Sequence, residues 1–167
     1  FQGGRVNGYE TGLVSVDEIL GLILPGDLGF IIGSAGDGKS ALAAQIGVSI
    51  ARTAPVLLIQ LEMSAQNQAA RELAAASGIS VGAIQEGSFD FSQWDALQEA
   101  EKTLSGQALW VHDDKRMTVR AIRSLAFGMK RTTGLGAVIV DQLDKILGQA
   151  RHRDRFERMA EVTGDLK

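Results

Sequence analysis

An eight-residue stretch, GSAGDGKS at residues 33–40, constrains the fold of this chain more than any other feature. It fits G-x-x-x-x-G-K-[ST] at every fixed position and stands between an apolar run and an alanine-rich segment. Its glycines let the backbone curl so that successive N–H groups face one point, and a following helix adds the positive end of its dipole. The stretch predicts a phosphate-binding loop formed by Gly33, Ser34, Ala35, Gly36, Asp37, Gly38, Lys39 and Ser40.

Two side chains at the end of this loop suit a nucleoside triphosphate and its metal ion. Lys39 supplies a mobile positive charge for the β- and γ-phosphates. The hydroxyl of Ser40 can ligate Mg²⁺. We therefore expect nucleotide and Mg²⁺ as cofactors.

Apolar runs and helical patterns alternate along the chain. Four nearly continuous apolar runs are typical of strands in a parallel sheet that is covered on both faces. Between them, apolar residues recur at helical spacing. The pattern predicts an α/β fold, a mostly parallel sheet flanked by helices. The predicted strands are Asp27–Gly33, Ala54–Glu62, Ala108–Asp114 and Gly136–Gln142; the helical stripes are Leu42, Ile46 and Ile50, and Val119, Ile122, Leu125 and Met129; residues 78–94 are predicted as a loop or short helix, and 156–167 as a final helix.

Composition narrows the class of protein. The 167 residues contain no cysteine, which excludes disulfides and thiolate metal sites and fits a reducing cytoplasm. No apolar run approaches the roughly 20 residues that span a bilayer, so we expect no membrane partner. The net charge of −3 requires that any nucleic-acid contact come from a local patch. We interpret residues 1–3 as the remnant of an expression tag and residues 4–167 as one domain.

Two acids end predicted strands. Asp141 closes the run AVIVD, where a carboxylate beside the phosphate loop can hold Mg²⁺; the alternative is a solvated acid at a strand end. Glu62 ends VLLIQLE and is our candidate for the base that polarises water; the alternative is an acid favoured by a helix dipole. Both would emerge at the carboxyl edge of a parallel sheet, where ligands bind.

These motifs together resemble the RecA-like motor domain of DnaB-type replicative helicases. The similarity begins at residues 11–33, TGLVSVDEILG and LPGDLGFIIG, and includes LIQLEMS at 58–64, which is characteristic of that family. It continues through LWVHDD and the run that ends at Asp141 to DRFERMAEVTGDLK.

The resemblance implies a RecA-like P-loop NTPase core that binds ATP and Mg²⁺. It implies that Glu62 is the catalytic glutamate and that Asp141 is the Walker B acid. The implied activity is ATP-driven translocation along single-stranded DNA by a ring hexamer or filament, with duplex unwinding and with primase or loader proteins as partners.

The chain departs from the family at the residues that sense the γ-phosphate. Many members carry a glutamine three residues after the Walker B aspartate, where this chain has Asp144. Related phage primase-helicases place a histidine sensor directly after the aspartate, and here that residue is Gln142. The Gln142 amide can donate a hydrogen bond to a phosphate oxygen. Gln142 is therefore a candidate sensor, or alternatively a polar residue at a strand end.

The chain also lacks the family's later strands, its second DNA loop and its basic finger. We interpret it as a shortened chain or an unusually short relative. Because an arginine finger is worth several orders of magnitude in rate in related enzymes, we expect weak hydrolysis from this chain alone.

Arginines cluster in RHRDRFER at residues 151–158. They can pair with phosphates of DNA without reading its sequence, and the position suits the family's first channel loop. The alternative is a salt-bridged surface, since acids interleave with the arginines. The candidate DNA-binding residues are Arg151, Arg153 and Arg155.

Two other functions remain open at this point. A RecA-, RadA- or KaiC-like ATPase shares the TG…D…LG…PG lead-in and need not unwind DNA. A nucleotide-gated assembly module would bind ATP as a switch. DNA-dependent turnover and strand displacement distinguish the three.

Overall fold

A computed structural model of the chain describes residues 8–146. These residues form two compact units. The first contains the residues up to Glu62 and from Leu109 onward, and the second is Met63–Ala108. The elements in chain order are α1 (Val14–Leu20), α2 (Lys39–Ala51), β1 (Val56–Gln60), α3 (Ala65–Ser77), α4 (Val81–Glu86), α5 (Phe91–Ser105), β2 (Leu109–His112), α6 (Val119–Thr133), β3 (Ala137–Asp141) and a 3-10 turn (Leu143–Lys145).

The first unit is built on a parallel sheet of three strands in the order β2-β1-β3. The central strand β1 is buried along its whole length. In register, Val56 lies opposite Leu109 and Ala137 at one edge, and Gln60 lies opposite Asp141 at the other. The predicted parallel sheet is confirmed, with each of these three strands shorter by a few residues than the apolar run that predicted it.

Helices cover both faces of this sheet. Leu57, Ile59 and Leu61 form one hydrophobic cluster with Ile122 of α6. Val56 joins a second cluster with the last turn of α2. Because successive residues of a strand point to opposite faces, a strand covered by helices on both sides must be apolar throughout. The predicted stripe on α6 is confirmed, since Val119, Leu125 and Met129 pack against the first cluster.

The direction of α2 follows from its packing. Its last residues, Ile50 and Ala51, pack with Val56, the first residue of β1. One turn earlier, a Cβ on Gly47 would lie 3.0 Å from Cδ1 of Ile139, in the middle of β3. The helix therefore runs antiparallel to the strands. Its first residue, Lys39, lies toward the carboxyl edge of the sheet.

The predicted strand Asp27–Gly33 is wrong. Among residues 8–146 no strand pairs with this run, and its apolar side chains are exposed, with Ile32 at 90%. An apolar run becomes a strand only when a neighbouring strand supplies hydrogen bonds. The sequence pattern shows only that the run is apolar; it does not show whether a neighbouring strand is there to pair with it.

The second unit consists of α3, α4 and α5. Each helix begins at a side-chain cap: the Ser64 hydroxyl accepts from Asn67 N at 3.2 Å, Ser80 from Ala83 N at 3.2 Å, and the Asp90 carboxylate from Gln93 N at 2.9 Å. Residues 78–94, predicted as a loop or short helix, contain α4 and the start of α5. No helix within the described part of the chain is long and apolar enough to cross a bilayer. The predicted helix at 156–167 lies outside the described residues.

Candidate nucleotide-binding site

Two glycines give the loop at residues 33–40 its shape. Gly36 and Gly38 have φ angles of 89° and 82°, in the left-handed region that side chains disfavour. Gly38 is also the N-cap of α2, which begins at Lys39. The GDGKS pattern thus ends in the helix that the sequence predicted, and the first backbone N–H groups of α2 face the loop.

Three of the loop's own groups bind one another around Ser34. The backbone N–H of Ser34 donates to Oδ2 of Asp37 at 2.6 Å. The carbonyl of Ser34 accepts a hydrogen bond from Nζ of Lys39 and a longer one from the backbone N–H of Asp37, at 3.3 Å. The Asp37 carboxylate and the Lys39 ammonium therefore both bind the backbone of the loop to which they belong.

Both candidate acids lie at the carboxyl edge of the sheet. Asp141 is the last residue of β3 and is only 8% exposed. Its carbonyl accepts from Leu61 N at 2.7 Å, which ties the end of β3 to the residue that precedes Glu62. Glu62 itself is exposed to solvent. Since α2 begins toward this same edge, the structure brings the phosphate loop, Glu62 and Asp141 to one side of the sheet.

The oxygen donors at this edge fit a magnesium ion. Ser40 offers a hydroxyl in the first turn of α2, where it is half-buried, and Asp141 offers a carboxylate. Mg²⁺ prefers oxygen ligands, and it usually keeps several waters and takes phosphate oxygens in addition to one or two protein ligands. Residues 8–146 contain no group of three or more His, Cys, Asp or Glu side chains that could hold a metal. The pair Ser40 and Asp141 is thus of the kind that holds Mg²⁺ together with a nucleotide.

Gln142 and Asp144 follow directly on β3. The peptide bond between Asp141 and Gln142 is cis. Gln142 is half-buried, and its carbonyl accepts from Lys145 N at 3.1 Å. Asp144 lies within the 3-10 turn that follows. The sensor role of Gln142 stays a prediction, and Arg151, Arg153 and Arg155 lie outside the described residues.

The contact between Asp37 and Ser34 is the feature that the sequence analysis missed. The motif alone places Asp37 among the phosphate-binding residues. A signal for the contact is present in the sequence, since Asp side chains readily bind nearby backbone N–H groups in tight turns. Whether this one does so depends on loop dihedral angles that the motif does not specify.

A three-stranded parallel sheet with helices on both faces and a GxxxxGKS loop opening into α2 defines a P-loop domain of the RecA-like class. The family model described as "DnaB-like helicase C terminal domain" matches residues 8–167. The chain therefore belongs to the DnaB-like helicase C-terminal domain family, and the predicted resemblance is confirmed.

Curated relatives agree with this family. The replicative DNA helicase DnaC of Bacillus subtilis (strain 168) is 28% identical over 167 residues, which cover 98% of this chain and 37% of that protein. The replicative DNA helicase DnaB of Geobacillus stearothermophilus matches with the same figures. The chain thus spans little more than a third of the length of these relatives.

Solved structures confirm the fold. A DnaB-like replicative helicase, described together with its interactions with primase, superposes with a TM-score of 0.88 at 21% identity, covering 98% of this chain and 40% of that one. A second solved structure, described as an ATPase domain, superposes with a TM-score of 0.83 at 21% identity, covering 99% of this chain and 60% of that one.

Proposed function

We propose that residues 4–167 belong to the ATP-driven motor domain of a replicative DNA helicase, which couples ATP hydrolysis to translocation on single-stranded DNA and to duplex unwinding. The observation that carries the proposal is the meeting of the phosphate loop, Glu62 and Asp141 at one sheet edge. Open α/β sheets bind ligands at this edge. Membership of the DnaB-like family favours a helicase over a RecA-, RadA- or KaiC-like ATPase.

In this proposal each residue of the site has one role. Lys39 and the backbone N–H groups of the loop bind the phosphates of ATP. Ser40 and Asp141 hold the Mg²⁺ ion, which neutralises charge on the phosphates. Glu62, which is exposed and lies two residues beyond the end of β1, accepts a proton from the attacking water.

Gln142 is proposed as the γ-phosphate sensor, because its amide follows Asp141 directly and can donate to a phosphate oxygen. Replacing Gln142 by alanine should leave ATP binding intact and abolish the stimulation of hydrolysis by DNA. DNA stimulation equal to that of the wild type would contradict the sensor role.

The proposed partners are single-stranded DNA, further copies of the same chain and primase or loader proteins. Primase enters because a DnaB-like helicase of the same fold is described with it. Arg151, Arg153 and Arg155 are proposed to contact DNA phosphates, and a ring hexamer is the proposed assembly. Because the named relatives are bacterial replicative helicases, we propose the cytoplasm of a bacterial or phage-infected cell as the location.

Steady-state ATP hydrolysis, measured with and without single-stranded DNA over a range of protein concentrations, tests the proposal. We expect a low rate that rises with DNA and, per subunit, with protein concentration. Lys39→Ala should remove the activity. ATP binding with turnover that ignores both DNA and concentration would favour the nucleotide-gated assembly module instead. Strand displacement by a full-length version would separate a helicase from an ATPase that does not unwind DNA.

A further inference from the structure

The side chain of Asp37 occupies a hydrogen-bond donor of the phosphate loop. Its Oδ2 accepts from Ser34 N at 2.6 Å, and both residues are exposed. A carboxylate oxygen is an anionic acceptor, as a phosphate oxygen is, and backbone N–H groups of such loops serve anions. In this geometry the chain supplies the anion for one of its own N–H groups.

The Lys39 ammonium also makes a contact within the loop, with one of its three donors. Its Nζ donates to the carbonyl of Ser34, the residue whose N–H Asp37 holds. A Cβ built on Gly33 would lie 3.1 Å from Oδ2 of Asp37 and 3.7 Å from Cδ of Lys39. The carboxylate and the lysine stem are therefore neighbours beside the Gly33 backbone. A phosphate that binds to Lys39 therefore comes close to the negative charge of Asp37, while the ammonium keeps two further donors besides the one on the Ser34 carbonyl.

We propose that Asp37 is an internal competitor for the phosphates, so that its side chain sets the nucleotide affinity of the site and lowers the affinity for ATP. The proposal rests on the proposed function, because it assumes that this loop binds nucleotide. The backbone of Asp37 remains part of the loop, and only its carboxylate opposes binding.

The chain offers a matched control ten residues earlier. Asp27 Oδ2 accepts from Leu24 N at 2.8 Å, again three residues back along the chain. The two aspartates share exposure and local hydrogen-bond pattern, but Asp27 lies outside the phosphate loop. Replacing Asp27 by alanine removes a carboxylate and its hydrogen bond to a backbone N–H three residues earlier, and it leaves the phosphate loop unchanged.

The experiment measures the dissociation constants of Mg·ATP and Mg·ADP by isothermal titration for the wild type, Asp37→Ala, Asp37→Asn, Asp27→Ala and Lys39→Ala. Asp37→Ala, which removes both the acceptor and the charge, should bind Mg·ATP at least about tenfold more tightly, a change of about 1.4 kcal/mol. Asp37→Asn keeps an acceptor for Ser34 N and should fall between Asp37→Ala and the wild type. The gain should be larger for ATP than for ADP, because ATP carries more negative charge. Asp27→Ala should bind as the wild type does.

Three outcomes separate this proposal from the proposed function. Tighter binding by Asp37→Ala, with unchanged affinity for Asp27→Ala, supports the competitor role. If the wild type binds nucleotide, Lys39→Ala loses it and Asp37→Ala binds equally or more weakly, the competitor role is overturned and the proposed function stands. If neither the wild type nor Asp37→Ala binds nucleotide, both fall. Thermal unfolding of each variant checks that the fold is retained.

Discussion

At the scale of single residues, Asp141 at the end of β3 and Glu62, two residues beyond the end of the neighbouring strand β1, lie in different surroundings. Asp141 is buried and Glu62 is exposed. A carboxylate that holds a metal ion gains from a defined, water-poor position, whereas a carboxylate that takes a proton from water must be reached by water. The two acids are therefore suited to the two roles proposed for them.

This difference predicts two separable defects. Glu62→Gln should lower hydrolysis by roughly 10²–10⁴-fold, the usual contribution of a general base, and leave Mg·ATP affinity nearly unchanged. Asp141→Asn should weaken Mg²⁺-dependent nucleotide binding as well as hydrolysis. Titration calorimetry and steady-state kinetics on the same preparations measure both. Glu10→Gln, at an exposed acid far along the chain from both strand ends, is the control. Loss of ATP affinity in Glu62→Gln would argue against a role confined to the chemical step.

Glu72 in the second unit makes stability depend on pH. Burial raises the pKa of this half-buried glutamate, against a smaller lowering by the hydrogen bond from Gln68 Nε2 to Glu72 Oε1 at 2.5 Å. A carboxyl whose pKa is higher in the folded state holds its proton more tightly there than in the unfolded chain. The free energy of unfolding therefore falls as pH rises from the ordinary glutamate range through the raised pKa.

Glu72→Gln should remove this contribution. Compared with the wild type, the variant should gain free energy of unfolding as pH rises across that window, and the gain should reach a plateau once the pH exceeds the raised pKa. Urea unfolding of both proteins at several pH values measures the difference. Glu99→Gln, at an exposed acid of the same unit, should follow the wild-type profile. A difference between Glu72→Gln and the wild type that does not change with pH would contradict the prediction.

At the scale of elements, α6 begins at a cap that can be tested without touching the core. Thr118 Oγ1 accepts from Ala121 N at 3.2 Å. Since α6 packs against one face of the sheet, loss of this cap should lower the free energy of unfolding of the whole first unit. Thr118→Ala should cost about 1 kcal/mol of unfolding free energy. Chemical denaturation measures the cost.

Thr132→Ala is the matched control for this cap. Thr132 lies exposed near the other end of α6, and its hydroxyl donates to the Gly128 carbonyl. Within a helix this carbonyl already accepts a hydrogen bond from the backbone N–H four residues later, so it does not depend on the hydroxyl. Its replacement should change the stability by less than about 0.5 kcal/mol. Equal costs at both ends would show that the hydroxyl of Thr118 does not act as a cap.

The elements also show what the sequence could predict. The phosphate loop is predictable residue by residue because it is a local structure, whose glycines and following helix need only neighbours in the chain. The strands β1, β2 and β3 are predictable because burial on both faces leaves an apolar run. The run 27–33 has the same pattern without a pairing strand among the described residues, and pairing is not local information. The contact of Asp37 with Ser34 depends on loop geometry and is likewise beyond the pattern.

At the scale of the whole molecule, the exposed run 27–33 makes association the expected behaviour. Phe30 and Ile32 are 53% and 90% exposed, next in the chain to the phosphate loop. Contiguous apolar surface of this kind drives contacts between molecules. Ile32→Lys should therefore lower the weight-average sedimentation coefficient at high protein concentration.

Gln45→Lys separates charge from hydrophobicity in this test. It adds the same charge at an exposed polar position of α2 and removes no apolar surface. It should associate as the wild type does. If both variants lower the weight-average sedimentation coefficient by the same amount relative to the wild type, net charge rather than the apolar run controls association.

The helical unit at Met63–Ala108 joins the rest of the chain by one peptide bond at each end, directly after Glu62 and directly before β2. A crossover between parallel strands needs only about a dozen residues, and this one carries three helices. The segment is therefore far longer than the connection between β1 and β2 requires. Because a longer connection between fixed ends costs little extra closure entropy, the length of this segment can change while β1 and β2 keep their pairing.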